Sequence, residues 1–196
     1  MERFTGPHQE ELLDIVDEFG RPTGKTATKA QIHAQGLLHR DTHIWVFNDE
    51  GFLQQHRAAN KKIMPNTWDI SVAGHVDVGE DYLDAAVRET EEELSLRYPR
   101  ERFLPIGRLG TEMFFKDWSH PHRVVSKDFV VYDPVLDLSK VNIQDDEVQG
   151  VRLYRFDDFD RDLMTEGGRK KHAPQPLVVY RMGLAAMLAV RDAQTR

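Results

Sequence analysis

The segment from Gly74 to Leu96, GHVDVGEDYLDAAVRETEEELSL, constrains the fold of this chain more than any other. Leu83, Ala86, Val87, Thr90 and Leu94 recur at helical spacing and predict a helix with one mostly apolar face. Asp81, just after Gly79, is the expected N-cap. On that helix Glu89 lies beside Glu92 and Glu93, at i+3 and i+4, where like charges cost about 0.2–0.5 kcal/mol per pair. Arg88, with Asp84 and Glu92 four residues to either side, offsets part of the repulsion. A helix shaped only by stability would avoid the cluster. An oxygen-rich negative patch does suit a hard divalent cation such as Mg²⁺, which bridges carboxylates to substrate phosphates. The bland alternative, a solvated acidic helix face, leaves the preceding glycine and the Arg-Glu spacing without a purpose.

Around this helix the chain reads as strands. Leu12 to Val16 predicts a strand and turn, paired with Gly24 to Thr28. Residues 38 to 47 carry Ile44-Trp45-Val46-Phe47, a buried-strand signature, and Asn48 to Gly51 turns the chain back into Phe52-Leu53. Trp68 to Ala73 predicts one strand running directly into Gly74. Further strands are expected near 104–115, 124–132 and 150–155, and a last helix from Leu177 to about Asp192. The fold class expected is α/β, with a mixed sheet sandwiched between helices. Residues 1–10 are expected to form a flexible tail and residues 11–196 a single domain.

Composition narrows the function classes. The net charge of −7 argues against a general binder of nucleic acid or anionic membrane, since both need basic surface. The same charge means that an anionic substrate needs local cations or a metal. With no cysteine there are no disulfides, thiolate metal sites or cysteine nucleophiles, and a cytoplasmic setting fits. The N-terminal stretch has no apolar core of a signal peptide. Leu177 to Val190, broken by Arg181, is too short and too charged to span a bilayer.

The spacing of Gly74, Glu80, Arg88, Glu89, Glu92 and Glu93 matches the Nudix box, G-x5-E-x7-R-E-U-x-E-E-x-G-U with U aliphatic. Two positions depart: Thr90 stands for an aliphatic residue and Ser95 for the last glycine. On these residues the chain is identified as a member of the Nudix superfamily. The likeness extends over roughly residues 10 to 195. Leu38-His39-Arg40, Ile44 to Asn48, Arg57, Lys61-Lys62, Pro65, Trp68, Gly74-His75 and Asp145 to Val148 resemble the branch that contains type I isopentenyl-diphosphate isomerase. Those isomerases need a cysteine immediately before the Gly-His pair, where this chain has Ala73, and they have largely given up the box carboxylates kept here.

The resemblance therefore implies a Mg²⁺- or Mn²⁺-dependent hydrolase acting on a small-molecule diphosphate, with neither nucleic acid nor membrane as partner and a homodimer left open. It implies Glu89, Glu92 and Glu93 as metal ligands, joined by the Gly74 carbonyl, with Glu80 and Arg88 as supports. Glu89, Glu92 and the late Glu147 are the candidates for the catalytic base. Arg57 and Lys61 are implied as phosphate contacts, whereas Lys62 is left open between contact and solubility. His39 and His75, and more loosely His33, match ligands of a second metal in the isomerases. The His120-Pro121-His122 cluster, with Trp118 nearby, is expected in a loop, either an ordinary exposed one or one that shapes a substrate pocket. Two rival readings are an isomerase-like enzyme and a Nudix-fold module that binds without turnover. The first is opposed by Ala73, the second by the intact carboxylates.

Overall fold

A computed structural model describes residues 11–61, 63–116, 118–143 and 147–194. The expected tail at 1–10, Lys62, and Asp145-Asp146 lie outside the described residues. In chain order the elements are β1 (Leu12–Val16), β2 (Pro22–Thr28), α1 (Lys29–Gln35), β3 (His39–Phe47), β4 (Gly51–Arg57), β5 (Trp68–Asp69), β6 (Val72–His75), α2 (Tyr82–Leu94), β7 (Leu104–Met113), β8 (His122–Tyr132), β9 (Val148–Arg155), α3 (Phe156–Leu163), α4 (Glu166–Arg169) and α5 (Leu177–Gln194).

β1 and β2 form a two-stranded ribbon, and the other seven strands form one mixed sheet. Its axis is β3, which runs parallel to β8 from His39↔Val124 to Phe47↔Tyr132 and antiparallel to β6 from Asp41↔His75 to Ile44↔Val72. Strand side chains alternate between faces. Ile44 and Val46 point into one core with Val72, Ala85, Ala86 and Leu94, so α2 covers that face. Trp45 and Phe47 point into the other core with Phe156, Phe159, Val179 and Tyr180, so α3 and α5 cover the opposite face. The mixed sheet is thus sandwiched between helices, as the sequence predicts. No helix among the described residues is long and apolar enough to cross a membrane.

The α2 cap is the expected one: the Asp81 carboxylate accepts from the Leu83 and Asp84 amides, each at 2.8 Å. At the other end Ser95 takes a left-handed φ of 55°, a conformation that favours glycine. Thr90 is fully buried, and its hydroxyl donates to the Ala86 carbonyl at 2.7 Å. Both departures from the motif are accommodated without disturbing the acidic face.

Three expectations need correction. The strand expected from Trp68 to Ala73 breaks in two at Ile70-Ser71, because the Ser71 side chain enters the ladder. Its Oγ accepts from the Val46 amide at 2.8 Å and donates to the Leu53 carbonyl at 2.6 Å. Helices α1, α3 and α4 are not anticipated by the sequence reading. α1 is short, and what holds it is a capping box between Thr28 and Gln31. Last, His122 is not in an exposed loop: it opens β8 and is 6% exposed.

Packing of α5 on β3 leaves no room at Gly183, where an added Cβ would overlap the Trp45 indole. Gly183→Val is expected to cost about 1–3 kcal/mol by overpacking. Urea denaturation should show a lower midpoint at unchanged slope, and an unchanged midpoint would contradict the packing described.

Candidate functional site

The acidic helix and strand β6 meet at Gly74. An added Cβ there would overlap the Glu89 carboxyl group, so glycine leaves open the space that this side chain occupies. Arg88 fixes the rest. Its Nε and Nη2 donate to the two oxygens of Glu80 at 3.1 and 2.9 Å, its Nη1 donates to Glu89 at 2.8 Å and Glu92 at 3.1 Å, and its Nη2 also reaches the His75 carbonyl at 3.0 Å. Asp84, expected beside Arg88, pairs instead with Arg100. Glu80 in turn accepts from the Asp77 amide at 3.2 Å, so it fastens the loop to the helix.

The three box carboxylates differ sharply in environment. Glu92 is half-exposed, Glu89 is mostly buried, and Glu93 is buried with its Oε2 lacking any partner. Burial, reinforced by the neighbouring Glu89, pushes Glu93 up to about 8, against the pull of Arg57, Lys61 and Gln55. Burial also raises Glu89, opposed by Arg88. Two adjacent carboxylates, one with a bare buried oxygen, match the donor set of a hard divalent cation.

Arg57, Lys61, Glu147 and His75 line the same cleft, of about 1130 Å³. Lys61 and Glu147 are ion-paired with each other. Burial, with Arg57 and Lys29 nearby, lowers Lys61 to about 8. The Arg57 Nε and Nη2 donate to the Ile63 carbonyl at 3.3 and 3.1 Å, and Nη1 lies 3.8 Å from Asp69. Arg57 therefore braces the loop after β4, and Lys61 is held by Glu147.

A second cluster lies beside the first along β6. His33 from α1, His39 and Asp41 from β3, His75 from β6 and His122 from β8 converge. Ring centroids of His33, His39 and His122 are 5.1–5.5 Å apart. Asp41 sits among them, 3.5 Å from His39 Nε2, 3.8 Å from His122 Nε2 and 4.0 Å from His75 Nε2. Outer contacts orient two of the rings: His39 Nδ1 faces the Leu37 carbonyl at 3.1 Å and His75 Nδ1 faces Glu11 at 3.0 Å. Glu11 is itself held by Lys29 at 2.8 Å. Buried atoms that make no hydrogen bond include His33 Nε2, His39 Nε2, His122 Nδ1 and Asp41 Oδ1. Burial, with the neighbouring histidines, pushes His33 down to about 3. Burial pushes His39 to about 4 against the pull of Asp41. Imidazoles around a buried carboxylate, two of them steered by outer acceptors, have the chemistry of a metal-ligand set. Asp41 was missed in the sequence, and His122 was singled out only as part of a loop cluster, not as a partner of His39. The signal available was the period-two alternation His39, Asp41 along β3 and His122, Val124 along β8.

One further pair borders the cleft. His43 Nδ1 lies 3.1 Å from Asp128 Oδ1, both residues being buried. Burial favours the neutral ring, but Asp128 outweighs it and holds His43 up at about 9, with Asp41 and Asp69 adding to the pull.

A family model described as NUDIX domain matches residues 37–175. The chain is 30% identical over 161 residues to Nudix hydrolase 3 of Arabidopsis thaliana, covering 80% of this chain and 21% of that protein. It is 34% identical over 140 residues to Isopentenyl-diphosphate Delta-isomerase 2 of Photorhabdus laumondii, covering 68% of this chain and 78% of that one. The chain thus spans about a fifth of the Arabidopsis protein, and 53% of a Streptomyces coelicolor relative. The solved structure of the Deinococcus radiodurans protein DR0079 superposes with a TM-score of 0.64 at 18% identity, covering 87% of this chain and 98% of that one, a likeness of fold.

Glu93 gives the metal-free protein a distinctive pH response. Folded, it keeps its proton up to about pH 8; unfolded, it releases it near 4.5. Between those values the folded state binds more protons, so this group's contribution to stability is lost as pH rises. In EDTA, wild type is expected to lose more thermal stability than Glu93→Gln between about pH 5 and pH 8. Parallel melting curves for the two proteins across that range would contradict the burial of this carboxylate.

Proposed function

Because the chain belongs to the NUDIX domain family, we propose that it is a divalent-cation-dependent hydrolase that cleaves the diphosphate bond of a nucleoside diphosphate-X or a related small diphosphate. The observation that carries this reading is the buried, unpartnered Glu93 oxygen beside Glu89 at the glycine-lined end of α2. Glu89, Glu92 and Glu93, with the Gly74 carbonyl, would hold Mg²⁺ or Mn²⁺. His33, His39, His75, His122 and Asp41 would hold a second ion, and their nitrogen-rich set suits a transition metal. Bound divalent cations neutralise phosphate oxygens and lower the pKa of an attacking water.

The chain's own groups divide the remaining work. Lys61 contacts the substrate phosphate, and Arg57 positions the loop that presents it. Glu89 and Glu92 are both tied to Arg88, while Glu147 is paired with Lys61. A phosphate oxygen arriving at Lys61 competes with Glu147 for the ammonium. The freed Glu147 carboxylate then accepts a proton from water. Arg88 and Glu80 keep the acidic face in register. Residues 11–196 act as one domain in this reading, with a small-molecule diphosphate as partner.

The isomerase alternative follows from the likeness to the Photorhabdus protein. It is disfavoured because Ala73 offers no exchangeable proton immediately before Gly74-His75 and no cysteine exists elsewhere.

A panel of diphosphate compounds assayed with Mg²⁺, Mn²⁺ and EDTA tests the proposal. Release of phosphate or monophosphate is expected only with the cations, and equal turnover in EDTA would refute it. Glu92→Gln or Glu93→Gln is expected to lower kcat by roughly 10²-fold or more while the fold is kept, since a charge is removed and the shape retained. Mg²⁺ at ten times its Kd should stabilise substrate-free wild type by about 1.4 kcal/mol. That shift should shrink in Glu93→Gln, and identical shifts in the two proteins would move the ion elsewhere.

A further inference from the structure

We infer that the group the substrate carries beyond its diphosphate is polar, and that His43, braced by Asp128, is the residue that contacts and selects it. This rests on the hydrolase reading and names the substrate class of that same site.

His43 lies in the middle of the sheet, in register with Ala73 on β6 and with Asp128 on β8. It shares a strand face with Asp41 and Trp45, so it stands between the histidine cluster and the apolar core. Its environment holds it rigidly on one side. Asp128 receives the Ser126 hydroxyl at 3.2 Å and the Trp45 indole N–H at 3.5 Å as well as facing His43 Nδ1. The other ring nitrogen, Nε2, has no hydrogen-bond partner among the described residues, and His43 lines the cleft. Asp69 and Gln175 line the same cleft, with Gln175 Nε2 donating to Asp69 Oδ1 at 3.4 Å. Met113 and Val124 add apolar surface.

An imidazole nitrogen in this position is polar in either protonation state, a donor when charged and an acceptor when neutral. A hydrocarbon chain laid against it would displace water and leave the nitrogen unpaired, a loss of about tenfold or more in binding. A sugar hydroxyl, an amide or a nucleobase edge answers this nitrogen, and sites built to hydrogen-bond a ligand reject analogues that lack the bond far more strongly than apolar pockets discriminate by size. The geometry thus favours diphosphates of sugars or nucleosides over prenyl diphosphates. His43 acts on the substrate directly, whereas Asp128 and Ser126 are positioning residues.

The test compares UDP-glucose, ADP-ribose and geranyl diphosphate as substrates of the full chain in Mg²⁺, in wild type, His43→Leu and His43→Gln. At least one polar compound is expected to exceed geranyl diphosphate in kcat/KM by roughly 10²-fold in wild type. His43→Leu should raise KM for that compound about tenfold or more, with a smaller change in kcat, and should narrow the ratio. His43→Gln keeps a hydrogen-bonding group at the same height and should retain most of the preference. A residue serving only the internal ion pair would lower the melting temperature and shift all substrates together. Hydrolysis of geranyl diphosphate as efficient as that of both polar compounds, or an unchanged ratio in both variants, overturns the inference and leaves the hydrolase reading standing. If no compound is turned over, calorimetric binding of the same three decides. Preferential polar binding weakened by His43→Leu supports the inference while the hydrolase reading falls. Absence of any preference overturns the inference as well. Should His43→Leu fail to fold, His43→Phe, which keeps a ring without a hydrogen-bonding nitrogen, takes its place, and an unchanged ratio there overturns the inference.

Discussion

The Arg88 guanidinium is the constraint on which the site depends. It joins the loop through Glu80, the strand through the His75 carbonyl and the helix through Glu89 and Glu92. Without that cation, three carboxylates would crowd one turn of a helix pressed against Gly74. A planar, permanently charged fork suits the task better than an ammonium, because it serves several acceptors at once in fixed directions. Glu93 gains nothing from Arg88 directly. It stays buried, with a bare oxygen, in a frame that the other residues hold in place.

The alternation of β3 sets the layout of the rest. One face supplies Ile44 and Val46 to the core under the acidic helix, and the other supplies His39, Asp41 and His43, then Trp45 and Phe47, beneath α3 and α5. Gly74 and His75 are neighbours on β6, one against Glu89 and the other beside Asp41. Two clusters with contrasting donors, oxygen-rich and nitrogen-rich, therefore share one cleft. Hard oxygen donors and imidazole donors favour different cations, so the two centres need not compete for the same ion.

The ion pair between Lys61 and Glu147 adds a link that neither residue suggests alone. Lys61 was expected at the substrate phosphate and Glu147 as a catalytic base, and the free protein pairs them with each other. Arg57 likewise gives two of its donors to the Ile63 carbonyl. An acidic chain can keep cations beside an acidic helix only by giving each a local anion or acceptor, and the substrate must then exchange with those partners.

The sequence by itself determined the acidic helix, its Asp81 cap and most strands of the mixed sheet. These follow from periodicity, capping and steric rules that act over a few residues. Ser71 escaped because its hydroxyl replaces a ladder bond, a role that composition does not announce. α1 escaped because a short helix held by its caps has little periodicity to read. Only the tertiary structure decided that His122 and Asp41 complete the cluster around His39, that Lys61 meets Glu147, and that His43 faces Asp128. Each of those meetings depends on the parallel register of β3 and β8 or on the pairing of β4 with β9. Such contacts join residues far apart in the chain, and burial of the two cores on either side of the sheet, rather than any local preference, fixes their register.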